Sequence, residues 1–430
     1  MRMNAFTRLW VVLCGVCVTT DVAAQLNRQP AGKGFAGKLV YSDEEEALYR
    51  KRYDRAIARK ATEEIYDTQE AIAGAPDWTA LRAAEKRKRT ISQAALDDAS
   101  RYASANDSSA LIVWRSGKLE FERYFGGRTR TTPIVSNSLS KPLASVAVGR
   151  AILLGHIKSL DQPVADFITE WRGDPVRERI LVRHLLDMRS GFLRQAAPTG
   201  ATDILSRSFL HPRHDEIIVR EYPVLDEPGK RYEYNNAASD LVAVLIERAT
   251  RRRYAEFLGT EVLQKIGAMG GAVWVNREGG RAHAGCCMLL PAETYLRLAI
   301  LTLRDGVWEG LRLLPESYVS EMRTATAENP HYGLGLFVAG RYVERRGFAN
   351  PDLPFPKTLH GEPYLAGDLY LFDGNANQVI YVIPSQDLVI LRTGNAPPHV
   401  NGVEWDNSYL PNRILRGISR DRRPSLPQQR

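Results

Sequence analysis

The 430-residue chain has little of what would tie it to several large classes of protein. Of its four cysteines, Cys14 and Cys17 lie in an N-terminal apolar run and Cys286 and Cys287 are adjacent, a spacing that only a strained vicinal bond could join. No disulfide framework is therefore expected, and the flanking Ala284-Gly285 and Met288-Leu289-Leu290 read as packed core rather than the setting of a cysteine nucleophile. The eight histidines show no paired ligand spacing: His211 and His214 stand three apart in what reads as a loop, with no third ligand nearby, so no metal is expected. There is no Gly-x-Ser-x-Gly elbow, and Gly361 to Gly367 lacks the lysine of a phosphate loop. No cofactor is implied. The chain has no basic patch interleaved with aromatics, which argues against nucleic acid as a partner, and no internal repeat or low-complexity tract. No apolar run reaches the ~20 residues that span a bilayer.

What is present is a globular composition, 44% apolar and 25% charged. Arg2 and Arg8 precede the apolar run Leu9 to Val18, and Val22-Ala23-Ala24 offers small residues before Gln25. This is the pattern of a cleaved signal peptide over 1–24, predicting an exported protein, periplasmic or secreted. Loss of Arg2, Arg8 and Asp21 takes the formal net charge from +8 to +7. Residues 25–90 read as an N-terminal arm, partly helical and mostly solvated from Asp43 onward, with the basic run Lys86 to Arg89 at its exposed end. A helix from Ser92 to Ala103 leads into Leu111 to Trp114, the turn Arg115 to Lys118, and a second strand Leu119 to Phe125. Near the other end, Tyr332 to Val338, Tyr370 to Phe372, Gln378 to Ile383 and Leu388 to Leu391 have strand character. Between them, Ser145 to Leu154, Val182 to Met188, Ala237 to Ala249 and Ala292 to Arg304 carry apolar residues at helical spacing. The expectation is one antiparallel sheet built from both ends of the domain 91–415, a mainly helical lobe at about 151–309, and a flexible tail at 416–430.

The chain's one Ser-x-x-Lys is Ser138-Leu139-Ser140-Lys141. Alone it is weak, but Pro142 is tolerated only near the start of the following helix, where its missing N–H is not needed, and this puts Ser138 beside a helix N-terminus. Three residues apart on a first turn, the hydroxyl and the amine share a face with free backbone N–H groups. One segment then offers a nucleophile, a base and half an oxyanion hole, provided Lys141 is buried enough to be largely neutral. A capping serine beside a solvated lysine is the competing reading. Pro228-Gly229 then runs into Tyr234-Asn235-Asn236 ahead of the helix near Ala237. Tyr234 and Asn236, two apart in an extended segment, point the same way. The tyrosine can pass a proton and the asparagine can hold a carbonyl or the lysine; alternatively Asn236 caps the helix and Tyr234 packs in the core.

Ser-x-x-Lys followed some 90 residues later by a Pro-Gly turn and Tyr-x-Asn resembles the class C β-lactamase-like and penicillin-binding serine hydrolases. Gly149 to Val164, Leu181 to Gly191 and Tyr332-Gly333-Leu334-Gly335-Leu336 agree, over roughly 95–400, and Gln378 to Gly394 looks most like the 6-aminohexanoate-dimer hydrolase and esterase branch. The resemblance implies an α/β fold (α+β by layer), an antiparallel sheet flanked by helices with the site in the crevice beside the helical lobe. It implies that Ser138 is acylated, that Lys141 and Tyr234 share base and acid duties, and that Asn236 lines the substrate site. The family's third motif, Lys-Thr-Gly or His-x-Gly, best matches Phe372-Asp373-Gly374, with Gly374 allowing close approach and the Asn375 N–H joining that of Ser138 as oxyanion donor. Phe372 replaces the cation that grips a substrate carboxylate, which favours a neutral ester or amide as the small-molecule substrate. Pro351 to Pro356 and 358–369 look like an insertion near the site, and the class A Ser-Asp-Asn element is absent. A penicillin-binding D-amino peptidase or β-lactamase, and a catalytically silent binding protein of the same fold, are the alternatives.

Overall fold

The computed structural model describes residues 39–58, 67–196, 198–347, 357–399 and 404–419. The expected signal peptide, the Pro351 to Pro356 stretch and most of the expected tail lie outside the described residues. Ser42 caps helix α1 (Asp43–Ile57): its hydroxyl accepts from the Glu45 N–H while the Glu45 carboxylate accepts from the Ser42 N–H. One stripe of this charge-rich helix, Tyr49, Arg52 and Ala56, is buried. Arg52 is fully enclosed because its guanidinium has enough partners there: Asp67 at 2.7 Å and the carbonyls of Leu210 and Asn276 at 3.2 and 2.8 Å. Strand β1 (Gln69–Ile72) follows.

Ser92 caps α2 (Gln93–Ala105). Strands β2 (Ser108–Arg115) and β3 (Lys118–Tyr124) are joined by Ser116 and Gly117, both at positive φ (+49° and +84°), the backbone pair that a two-residue hairpin turn requires. Then come β4 (Pro133–Val135), α3 (Ser140–Leu153), α4 (Val182–Leu186), α5 (Ile204–Leu210), α6 (His214–Arg220) and α7 (Asn236–Thr250). The order closes with β5 (Gly271–Trp274), β6 (Met288–Pro291), α8 (Ala292–Leu303), β7 (Phe337–Val338), β8 (Tyr370–Gly374), β9 (Gln378–Ile383), β10 (Leu388–Gly394) and α9 (Tyr409–Arg416).

A six-stranded antiparallel sheet runs β3-β2-β10-β9-β8-β7, so both ends of the domain contribute to it, as the strand pattern predicts. Alternation along its strands divides the core. Ile112, Ile380, Val382, Val389 and Leu391 face the side of α3 and α8, while Leu111, Val113, Tyr381, Ile383 and Ile390 face α2 and α9. A second sheet, β1-β5-β6-β4, lies at the lobe side. The segment Tyr332 to Val338 differs from the strand expected of it: only Phe337–Val338 pairs with β8. Gly333 and Gly335 break the extension because the chain presses against its neighbours there. A Cβ on Gly333 would lie 2.0 Å from the Met322 carbonyl, and one on Gly335, at φ +74°, 2.4 Å from Ser145 Oγ. Among the described residues, no helix is long and apolar enough to cross a membrane.

Candidate active site

The segment ahead of α3 is pinned from two sides. The Ser136 N–H donates to the Met288 carbonyl at 2.9 Å and Ser136 Oγ accepts from the Met288 N–H at 3.1 Å, tying it to β6. From the large sheet, the Gln378 amide donates to the Val135 carbonyl at 2.9 Å. Asn137 then takes a left-handed conformation, φ +48°, a cost that asparagine tolerates better than most residues. It turns the chain so that Ser138 stands half-exposed at the entrance to α3 while Leu139, Ser140 and Lys141 go inward. Pro142 sits in the first turn, where no intrahelical N–H is required.

Lys141 is 4% exposed, which is what the base role requires and the solvated-lysine reading does not. Its Nζ lies 3.0 Å from Ser138 Oγ, 2.8 Å from Asn236 Oδ1 and 2.9 Å from the Gly285 carbonyl oxygen. A neutral amine has two N–H bonds and one lone pair. With the amide and peptide oxygens taking the two N–H groups, the lone pair is left for the hydroxyl proton of Ser138. On the other side of Oγ, the Tyr234 hydroxyl donates at 2.8 Å, and the Tyr234 ring lies 4.8 Å from Nζ.

The two adjacent asparagines divide their work. Asn235, not Asn236, caps α7, its Oδ1 accepting from the Ala238 N–H at 2.8 Å. Asn236 is thereby the first helical residue and is turned toward Lys141. Tyr332 packs edge-on against both Tyr232 (5.3 Å) and Tyr234 (6.4 Å), lining this side with aromatic rings. The structure thus brings Ser138, Lys141, Tyr234 and Asn236 into one hydrogen-bonded set.

Gly374 is placed against the same segment. A Cβ there would stand 3.0 Å from both the Leu139 nitrogen and the Ser136 carbonyl oxygen. The Asn137 amide donates to the Asn375 carbonyl at 3.3 Å, so the end of β8 and the segment bearing Ser138 are directly joined. Phe372, by contrast, is 1% exposed and lies in the core beneath the sheet, presenting nothing to the crevice. Burial pushes the neighbouring Asp373 carboxyl well above the usual carboxylate range, against the pull of Arg346.

Sequence reasoning passes over three contributors. Gly285 offers only a backbone carbonyl, which no motif encodes. Arg392, fully buried in β10, donates to the carbonyls of Ala376 and Asn377 at 2.6 and 3.2 Å and to Ser108 Oγ at 2.9 Å, fixing the turn after Asn375. Its signal was a lone charge inside an apolar strand. The third is a buried group of His214, Asp240 and His283, whose donor atoms lie within 4.8 Å of one another; His214, read above as a loop residue with no further ligand nearby, is instead the first residue of α6. They come from three separate elements, so no sequence spacing shows them. The two imidazoles are stacked, 3.9 Å apart and 16° from parallel, which keeps their in-plane lone pairs from converging on a single ion. Cys286 and Cys287, beside this group and read above as packed core, are both buried and are joined to each other as a vicinal disulfide.

Comparison with known proteins places this geometry. The β-lactamase family profile matches residues 96–407. The 6-aminohexanoate-dimer hydrolase of Paenarthrobacter ureafaciens is 26% identical over 224 residues, 50% of this chain; the match spans 57% of that relative's length. Among solved structures, a Bacillus anthracis protein provisionally described as a 6-aminohexanoate-dimer hydrolase superposes with a TM-score of 0.63 at 18% identity, over 83% of this chain and 91% of that one. A D-stereospecific amidohydrolase from a Streptomyces species gives 0.51 at 17%, over 76% and 100%. The hydrolase EstCE1, which has promiscuous acyltransferase activity, gives 0.55 at 17%, over 76% and 97%. At these identities the structural likeness is one of fold, and it agrees with the match along the sequence: the chain belongs to the β-lactamase family.

Proposed function

We propose that this protein is an exported serine hydrolase that cleaves a carboxylic ester or amide through an acyl-enzyme on Ser138. The observation that carries the reading is the position of Ser138 Oγ, 3.0 Å from the buried Lys141 Nζ and 2.8 Å from the Tyr234 hydroxyl. Lys141 takes the hydroxyl proton as Oγ bonds to the substrate carbonyl carbon. The oxyanion is received by the backbone N–H groups of Ser138 and Asn375. Collapse of the tetrahedral adduct breaks the ester or amide bond, and Tyr234 delivers the proton to the departing alcohol or amine, recovering it from the Lys141 ammonium. Water, deprotonated along the same path, then releases the acid and restores Ser138.

Phe372 bears on the substrate. The position that would carry a carboxylate-gripping cation is apolar and buried, which supports a neutral ester or a linear amide over a penicillin. The match to a 6-aminohexanoate-dimer hydrolase supports keeping amides beside esters among the substrates.

The test is intact-mass spectrometry after treatment with a fluorophosphonate, on the parent and on Ser138→Ala. One adduct on the parent and none on the variant is expected. The parent is then assayed on p-nitrophenyl esters, linear amides and a labelled penicillin, with the first two preferred. No adduct on either protein would make a silent binding protein the better reading. Export is checked by the N-terminus of the protein recovered outside the cytoplasm, expected at Gln25.

A further inference from the structure

Lys141 is oriented by two acceptors. The Asn236 amide is held by its place on α7, but the Gly285 carbonyl belongs to a stretch with no side chain at that position to fix it. The backbone is held from behind instead. The Gly285 N–H donates to Asp240 Oδ1 at 2.9 Å, and Asp240 lies one turn beyond Asn236 on the same helix, 2% exposed. Its other oxygen meets Nδ1 of His283 at 3.1 Å. His283 is fully buried, its ring stacked on Trp274 at 4.1 Å and on His214 at 3.9 Å. Only glycine permits this approach, since a Cβ at 285 would stand 2.6 Å from Ser239 Cβ and 3.2 Å from Asp240 Oδ1.

We propose that Asp240 and His283 are positioning residues for Lys141: through the Gly285 backbone they aim its lone pair at Ser138, and the Asp240 carboxylate sets the charge against which the lysine gains and loses its proton. The inference rests on Lys141 acting as the base. An ionised Asp240 accepts two N–H groups, from Gly285 and from the Nδ1–H of a neutral His283. Burial drives the His283 imidazole well below its usual range, keeping it neutral. The same burial raises the Asp240 carboxyl, while His214, the Gly285 N–H and the Lys141 charge pull it back down. The titratable and charged groups around the pair are Lys141 on α3, His214 on α6, the buried Tyr254 just beyond α7 and Arg52 on α1, with Tyr234 beside Lys141 and Arg277 acting on His214. Among these Asp240 supplies the carboxylate.

The experiment measures the rate of fluorophosphonate labelling at Ser138 from about pH 5 to about pH 10, with the thermal midpoint of each variant recorded beside it. Asp240→Asn keeps the shape and removes the charge: its Oδ1 still accepts from the Gly285 N–H, and its amide N–H donates to Nδ1 of His283 in the other neutral tautomer. A lysine without that carboxylate gives up its proton more readily, so the acidic limb of the profile should move down by about half a pH unit or more. His283→Asn retains an N–H where Nδ1–H stood and should keep the parent limb. His283→Phe removes it, leaves Asp240 easier to protonate, and should move the limb in the same direction as Asp240→Asn. A structural role alone would lower the thermal midpoint and leave the limb in place. An unmoved limb in folded Asp240→Asn, or in His283→Phe where Asp240→Asn does not fold, overturns the inference while leaving Lys141 as base. A parent that does not label at Ser138 overturns both.

Discussion

At the scale of single residues, the site works by allotting donors and acceptors around one amine. Lys141 meets three oxygens, and in the proposed mechanism the one it serves as a base is decided by what the other two can offer in return. Asn236 and Gly285 present acceptors with no proton to give; Ser138 alone presents a hydroxyl. Replacing Asn236 by aspartate changes little in shape but sets a carboxylate about where Oδ1 now stands, 2.8 Å from Nζ. An opposite charge at that distance favours the ammonium, so a higher pH is needed to free the lone pair. The acidic limb of the labelling profile for Asn236→Asp should therefore move up by about one unit or more, opposite in sign to the shift expected at Asp240. A rate–pH series on the two variants side by side checks both signs, and limbs moving in the same direction would contradict this account of the lysine.

At the scale of elements, the site depends on three chain segments meeting at backbone distance. The end of β8 touches the segment bearing Ser138 where Gly374 has no side chain, and the turn at Gly335 touches the start of α3, within 2.9 Å of the Lys141 carbonyl for an added Cβ. The two glycines should respond differently to alanine. At Gly374 the contact is 3.0 Å and the backbone φ of −139° suits any residue, so Gly374→Ala should fold with a small loss of stability but push the segment bearing Ser138 aside, slowing labelling at least about tenfold. At Gly335 the positive φ and the 2.4 Å approach to Ser145 Oγ combine, and Gly335→Ala should cost about 1 to 3 kcal/mol in urea unfolding. Segments like these also mark how far the sequence could be read. The strands β2, β3, β9 and β10 announce themselves as short runs rich in β-branched and aromatic residues between turn residues, and the helices α7 and α8 by apolar spacing, because each packs against a continuous core. Tyr332 to Leu336 carries strand-like residues but is bent by close packing that no local pattern records. The proline after Lys141 was enough to place Ser138 at a helix start. The pair Asn235-Asn236 was not enough to say which residue caps and which faces the lysine, since both side chains can do either. Gly285, Asp240 and His283 stayed invisible because their meeting is a product of the folded chain.

At the scale of the whole molecule, the histidines form a store of acid sensitivity. Burial holds His184, His211, His331 and His360 down at about 4, and His214 and His283 well below the ordinary value of 6.5. In the unfolded chain each returns to about 6.5. Below that pH the unfolded state therefore binds more protons than the native one, and stability falls as pH falls. Full stability is present above about pH 6.5, and the loss runs down through the folded values near 4. Asp187, Asp215, Asp240 and Asp373 oppose it, because burial raises their carboxyls and the native state takes up protons there before the unfolded one does. Glu46, Asp161, Glu170 and Glu216, held below their usual range by hydrogen bonds from arginines, lose stability in the same direction as the six histidines, and together they outnumber the four aspartates and leave the balance on the side of destabilisation. The expected result is a urea midpoint that is flat from about pH 8 to 7 and then declines steadily to pH 4, with net uptake of more than one proton on unfolding near pH 5.5. A midpoint that holds level or rises across that interval would mean that the buried histidines are already charged in the folded protein. Because His283 sits behind Lys141, His283→Asn should also flatten part of the decline, which ties the acid response of the whole chain to the pair beneath its candidate active site.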